Sequence, residues 1–205
     1  IGVVTKTGVG LKLASFLVGL SGGHMILLLF CTMITSLILG MGVPTTANYV
    51  ITSTIAAPAL IGVGVPLLAA HMFVFYFGII ADITPPVALA AFAGSAISGG
   101  NPLKTAVNAS KLGIAAFIVP YVFVLSPAIL GINATALQMG FTTITALIGM
   151  IGVSAAMIGY FYRRVPLVLR IVLFGAGLCL IDPTPMTDLV GAGIMLSILV
   201  YQYMT

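Results

Sequence analysis

The chain has 205 residues, of which 61% are hydrophobic and 5% charged, with a formal net charge of +4, and its mean hydropathy is +1.30. Soluble domains carry about 25% charged residues. Seven Lys/Arg and three acidic residues cannot cover a water-soluble fold of this size, so lipid is the solvent for most of its surface. The positive balance lacks the basic stripe with interleaved aromatics of a nucleic-acid surface, and the basic residues read as markers of cytoplasmic loops. Cys31 and Cys179 lie far apart in apolar runs and read as small buried residues. The sequence begins at Ile1 rather than Met and lacks a signal-peptide pattern, so it reads as a piece of a longer protein.

In chain order, residues 3–20 mix Lys6 and Lys12 with apolar residues and predict an amphipathic interfacial helix. His24 to Leu39 is an apolar run, short of the roughly 20 residues that span a bilayer. It stops at Gly40-Met41-Gly42-Val43-Pro44, where two glycines and a proline unwind a helix. A second apolar arm runs from Ala47 to Ile61. Two short arms about a break form either a re-entrant hairpin or one broken spanning helix; residues 24–61 are too many for one crossing, which favours the hairpin.

Pro66 to Ile80 is a half-length apolar helix, interrupted at Ala81-Asp82-Ile83-Thr84-Pro85-Pro86 and resumed over Val87 to Ile97. Its halves sum to one crossing, so it reads as a discontinuous transmembrane helix. Residues 103–112, with Lys104 and Lys111, predict a short basic surface helix. Spanning helices are expected over Gly113–Leu130, with a kink at Pro120, and over Thr143–Tyr160, Leu167–Ile181 and Leu189–Met204. Placing Lys104 and Lys111 in the cytoplasm puts Arg163 and Arg164 there too, and puts Gly131–Thr142 and Asp182/Asp188 outside. Lys6 and Lys12 then also fall outside, against the rule.

A broken helix in lipid exposes backbone groups that hydrocarbon cannot solvate, so such breaks persist where they line a site. Half-helix N-termini favour anionic groups and exposed carbonyl ends favour cations. At the first break, Gly40 and Gly42 permit close approach to backbone, Pro44 holds the turn, and Thr45, Thr46 and Asn48 offer neutral oxygens for sodium or a polar solute. At the second, Asp82 is the only acidic residue before position 182, and an ionisable group at membrane depth is a functional candidate. Beside Ala81, Thr84 adds a hydroxyl, and Pro85 and Pro86 remove two amide donors. Gly40, Thr45, Asp82 and Thr84 form the candidate sodium set.

Blander readings stand beside these. The lesser reading of Gly40–Pro44 is a tight loop between ordinary helices, and that of Asp82 is a hydrated interfacial carboxylate or the partner of a lysine. His24 and His71 read as interfacial or hydrogen-bonded core residues, and Gly149 and Gly152 as helix-packing positions. Enzyme signatures are missing: there is no GxSxG, no HExxH, and no second membrane aspartate to pair with Asp82.

The runs Leu37-Ile38-Leu39-Gly40-Met41-Gly42-Val43-Pro44-Thr45-Thr46-Ala47-Asn48-Tyr49, His71-Met72-Phe73-Val74-Phe75-Tyr76-Phe77, Thr84-Pro85-Pro86-Val87-Ala88-Leu89-Ala90-Ala91, and Phe117-Ile118-Val119-Pro120-Tyr121 leading to Ser126-Pro127-Ala128 resemble fused permeases of the TRAP transporter family. The resemblance covers residues 8–131 and is looser over 135–205. It implies an all-α, multi-pass protein of the prokaryotic inner membrane that imports organic acids or related solutes. Sodium is the coupling ion, no further cofactor is needed, and an extracytoplasmic solute-binding protein delivers the solute. It implies an elevator built from two inverted repeats. Residues 1–131 would be the second repeat, with its hairpin tip at Gly40 to Thr46 and helix break at Ala81 to Pro86. Residues 132–205 would be extra C-terminal helices. The first repeat, needed for a complete site, is not in this chain. A channel or pore-forming subunit using the same breaks as a filter, and a membrane subunit without a site, are the alternatives that the residues leave open.

Overall fold

A computed structural model describes residues 6–182 and 184–204. Among them every regular element is helical apart from an isolated bridge between Tyr160 and Arg164. The chain forms two compact units, Ile1–Ser110 and Lys111–Thr205, taken here in turn.

The first unit begins with α1 (Val9–Ser21), where the amphipathic segment is expected; residues 3–5 of that expectation lie outside the described residues. It continues with α2 (Met25–Gly40), α3 (Thr45–Ile55), α4 (Ala57–Gly62) and α5 (Leu67–Ile80). A 3-10 turn (Ala81–Ile83) follows, then α6 (Leu89–Ser98) and α7 (Pro102–Leu112). The second apolar arm is therefore two helices rather than one. Pro58 has no N–H to offer the carbonyl of Thr54, and the helix breaks at Ala56. The basic surface helix is present as α7, its first turn held by Lys104 N–H donating to the Asn101 side chain at 3.1 Å. Both α2 and α3 pack on α5 around Leu28, Leu29, Phe73, Val74 and Phe77, all buried.

The second unit contains α8 (Ile114–Leu125), a 3-10 turn (Pro127–Leu130), α9 (Ala136–Ile158), α10 (Leu167–Cys179) and α11 (Pro185–Met204). Two of the expected spanning helices are shorter than the sequence predicts. The helix expected over 113–130 stops at Leu125 because Pro127 drives Ser126 out of the helical region, to φ −131° and ψ 74°. The helix expected over 167–181 ends at Cys179, shortly before Pro183. Conversely, the loop expected at 131–142 is mostly helix. Thr135 and Gln138 form a capping box, with Gln138 N–H donating to Thr135 Oγ1 at 3.4 Å and Thr135 N–H to Gln138 Oε1 at 3.0 Å. Among the described residues, Ala136–Ile158 and Met186–Met204 are each long and apolar enough to cross a membrane. Several shorter apolar helices accompany them, as a helical, multi-pass membrane protein requires.

Small residues close this bundle. A Cβ on Gly149 would lie 2.6 Å from the carbonyl oxygen of Gly177, so α9 and α10 touch backbone to backbone there. The buried Gln202 side chain accepts from the N–H groups of Tyr162 and Arg163 at 3.1 and 3.3 Å, tying the arginine loop to α11. Thr135→Ala removes one half of the capping box and is expected to cost about 1 kcal/mol. A fall of a few degrees in the unfolding midpoint, absent in Thr135→Asn, checks this.

Candidate functional site

The two breaks in the first unit are neighbours in space. Helix α2 ends at Gly40, and the turn Met41–Pro44 passes through Gly42 in the left-handed region at φ +73°. Helix α3 starts at Thr45 with no side-chain cap, so its first amides lack intrahelical partners. Pro44, Thr45 and Thr46 are exposed, whereas Gly40 and Asn48 are buried.

Helix α5 ends in the 3-10 turn at Ala81–Ile83. Thr84 then folds back, its N–H donating to the carbonyl of Ala81 at 3.2 Å and its Oγ1 to that of Ile80 at 2.7 Å. Ser110 Oγ, from α7, donates to the carbonyl of Ile83 at 2.9 Å. Pro85 and Pro86, joined by a cis peptide bond, bring no N–H, so the carbonyl of Asp82 lacks the donor that a continued helix would supply. Asp82 itself is half-buried, and its carboxylate has no hydrogen-bond or ion-pair partner among the described residues. Pairing with a lysine is therefore not its role in this unit.

Three contacts bring the breaks together. A Cβ on Gly42 would lie 3.9 Å from Val87 Cγ1, just past the second break. The 3-10 turn packs against α2. A Cβ on Gly40 would lie 2.5 Å from the carbonyl oxygen of Gly78 and 2.9 Å from Asn48 Nδ2, while one on Gly78 would lie 2.6 Å from Asn48 Oδ1. The carbonyl ends of α2 and α5 thus finish side by side, with the Asn48 amide wedged at their crossing. The close backbone approach is at Gly40; Gly42 supplies the turn.

Electrostatically, two helix C-termini carry partial negative charge and stand near Asp82, while the open N-terminus of α3 offers amides and the Thr45 and Thr46 hydroxyls. A cation suits the first arrangement and an anionic group the second. The described residues hold no cluster of three or more His, Cys, Asp or Glu able to bind a metal. One carboxylate among neutral oxygens suits a hard monovalent cation better than a transition metal.

Sequence reasoning identified both breaks but not Gly78 and Val87, which join them, or Ser110, which ties α7 to the second. A glycine inside an otherwise apolar helical run was the available signal for Gly78. His71 is hydrogen-bonded, as the blander reading holds: its Nδ1 lies 2.9 Å from Tyr49 Oη, and Phe75 packs edge-on against the Tyr49 ring.

A family model described as "Tripartite ATP-independent periplasmic transporter, DctM component" matches residues 1–139, a stretch containing both breaks. No curated protein and no solved structure matches the chain.

Proposed function

Since the chain belongs to the DctM component family of tripartite ATP-independent periplasmic transporters, we propose that it forms one half of the sodium and solute site of a permease. The family is one of transporter components rather than enzymes, and its tripartite character means that the protein works with other permease and solute-binding subunits. The finer reading is a sodium symporter of the prokaryotic inner membrane. It takes an organic acid or related solute from an extracytoplasmic binding protein.

The observation that carries this reading is the meeting of the two breaks. Carbonyl ends from α2 and α5 converge beside Asp82, while the N-terminus of α3 opens at the same turn. Sodium, as a transported ion, would be held by the Gly40 carbonyl, Thr45, Asp82 and Thr84. The solute carboxylate would meet the amides and hydroxyls of Thr45 and Thr46. Gly42 and Pro44 shape the tip, Asn48 braces it, and Ala81, Pro85 and Pro86 keep the second break open. Residues 1–131 would act as the moving repeat of an elevator, with α2–α4 as its re-entrant hairpin, and residues 132–205 as accessory helices. Each sodium carried down about 100 mV contributes about 2.3 kcal/mol before its concentration term, so a few ions suffice for strong accumulation.

The test is solute uptake into proteoliposomes by the full-length permease with its subunits, with and without an inward sodium gradient. Uptake should collapse when either sodium or the binding protein is withheld. Uptake indifferent to both would remove the symport reading.

A further inference from the structure

We propose that the connection between α9 and α10, with the apolar groove beside it, binds an anionic phospholipid, its phosphate on Arg170 and an acyl chain in the groove. The inference goes beyond the transport reading. It concerns the second unit alone and needs neither sodium nor solute.

The groove has a volume of about 280 Å³ and is lined by Ala156 and Met157 from the end of α9 and by Arg170, Ile171 and Phe174 from the start of α10. Apart from the guanidinium its walls are apolar. Ile171 is 69% exposed and Met157 40%, so the groove opens on surface that lipid covers in a membrane protein.

Arg170 stands at the loop end of this groove. Its side chain leans back toward the start of α10, as helical side chains do. Its Nε–H donates to the carbonyl of Val165 at 2.9 Å, and a Cβ on Gly159 would collide with the guanidinium. That contact holds the group in place but uses one of its five N–H donors. The other four have no partner among the described residues. A guanidinium fork matches the paired oxygens of a phosphate diester.

The loop behind Arg170 is closed on itself. Val165 N–H donates to the carbonyl of Gly159 at 2.9 Å, and Phe161 N–H to that of Arg163 at 3.1 Å. Arg163 and Arg164 are exposed on it, and their side chains have no partner among the described residues. The acidic residues of the chain are Asp82, Asp182 and Asp188. The two in this unit follow the far end of α10, so nothing neutralises the loop. An unbalanced cluster of arginines favours a lipid with net negative charge over a zwitterionic one.

The depth is right for a headgroup. Tyr160, Tyr162 and Tyr203 are all exposed at this end of the unit, and the rings of Tyr162 and Tyr203 lie 6.0 Å apart. Tyrosines gather where the bilayer meets water, and arginine-bearing loops face the cytoplasm. The guanidinium therefore sits at the phosphate level of the cytoplasmic leaflet, with the groove at acyl depth. A soluble anion would leave the groove unused, whereas a phospholipid fills both parts.

The test uses the full-length permease with its companion subunits, stripped of native lipid in a neutral detergent. Its unfolding midpoint is followed on titration with dioctanoyl phosphatidylglycerol or dioctanoyl phosphatidylcholine at constant ionic strength. Phosphatidylglycerol should raise the midpoint saturably, and phosphatidylcholine should need a higher concentration for the same shift. Arg163→Gln with Arg164→Gln leaves Arg170 and its bond intact. It should raise the half-saturating concentration of phosphatidylglycerol at least about fivefold, while lysine at both positions should titrate as wild type. Ile171→Trp fills the groove from an exposed position and should remove the response without lowering the lipid-free midpoint. Equal responses to the two lipids overturn the proposal, as does an unchanged titration in either the double glutamine variant or Ile171→Trp. Inorganic phosphate that reproduces the shift would make the ligand a soluble anion. No lipid response in the assembled permease would mean that a companion subunit covers the groove. Either result overturns the proposal as well.

Discussion

Gly40→Ala is expected to destabilise the first unit by about 1–3 kcal/mol, the usual cost of overpacking, and to abolish uptake by the intact transporter. The added methyl would sit 2.5 Å from the carbonyl oxygen of Gly78 and 2.9 Å from its Cα. Both are backbone atoms, so no rotamer change can relieve the clash. Helix α2 must move off α5 instead, and that movement separates the two carbonyl ends proposed to face the ion. Gly94→Ala in α6 is the matched control. Its Cβ meets nothing within 4 Å, and exchanging glycine for alanine inside a helix is worth about 0.8–1 kcal/mol in its favour. The pair separates close packing from helix propensity. Unfolding midpoints in detergent and uptake in proteoliposomes should move down for Gly40→Ala and hold or rise for Gly94→Ala. A Gly40→Ala protein that melts and transports like wild type would show that α2 and α5 do not touch at this point.

The two breaks were legible in the sequence because their causes are local. Glycine at positive φ and proline without an N–H act within a few residues, so the ends of α2 and α5 fall within a residue of where Gly40 and Ala81 predict them. The errors have local causes as well, of kinds easier to overlook. Hydropathy alone carried the helix after Gly113 through Ser126-Pro127, where the backbone leaves the helical region. Hydropathy also missed the start of α9, which a polar pair, Thr135 and Gln138, sets in place of an apolar residue. What no local rule could supply is the meeting of the breaks. Gly78 and Asn48 are 30 positions apart, and their contact depends on how α3 and α5 pack. The same holds for Ser110 Oγ on the carbonyl of Ile83.

Asp82→Asn is expected to change function strongly while leaving the structure nearly untouched. The carboxylate is half-buried and has no partner among the described residues, so no ion pair or hydrogen bond is broken when its charge is removed. The unfolding midpoint in sodium-free buffer should therefore stay within the small range of ordinary surface substitutions, about 0.5 kcal/mol. Sodium binding is different. A unit charge 4 Å from a cation contributes about 1 kcal/mol where water screens it and about 4 kcal/mol near a protein surface of effective dielectric 20. A half-buried group lies between those limits. Each 1.4 kcal/mol is a factor of ten, so the sodium concentration for half-maximal uptake should rise at least fivefold, and by as much as about a thousandfold. Asn keeps the size and one oxygen, and this assigns the loss to charge rather than shape. Uptake measured against sodium at constant ionic strength, with choline as the replacement ion, reads the effect. An unaltered sodium dependence in a well-folded Asp82→Asn transporter would take Asp82 out of the ion site. It would leave the carbonyl ends of α2 and α5 to hold a cation with neutral oxygens alone.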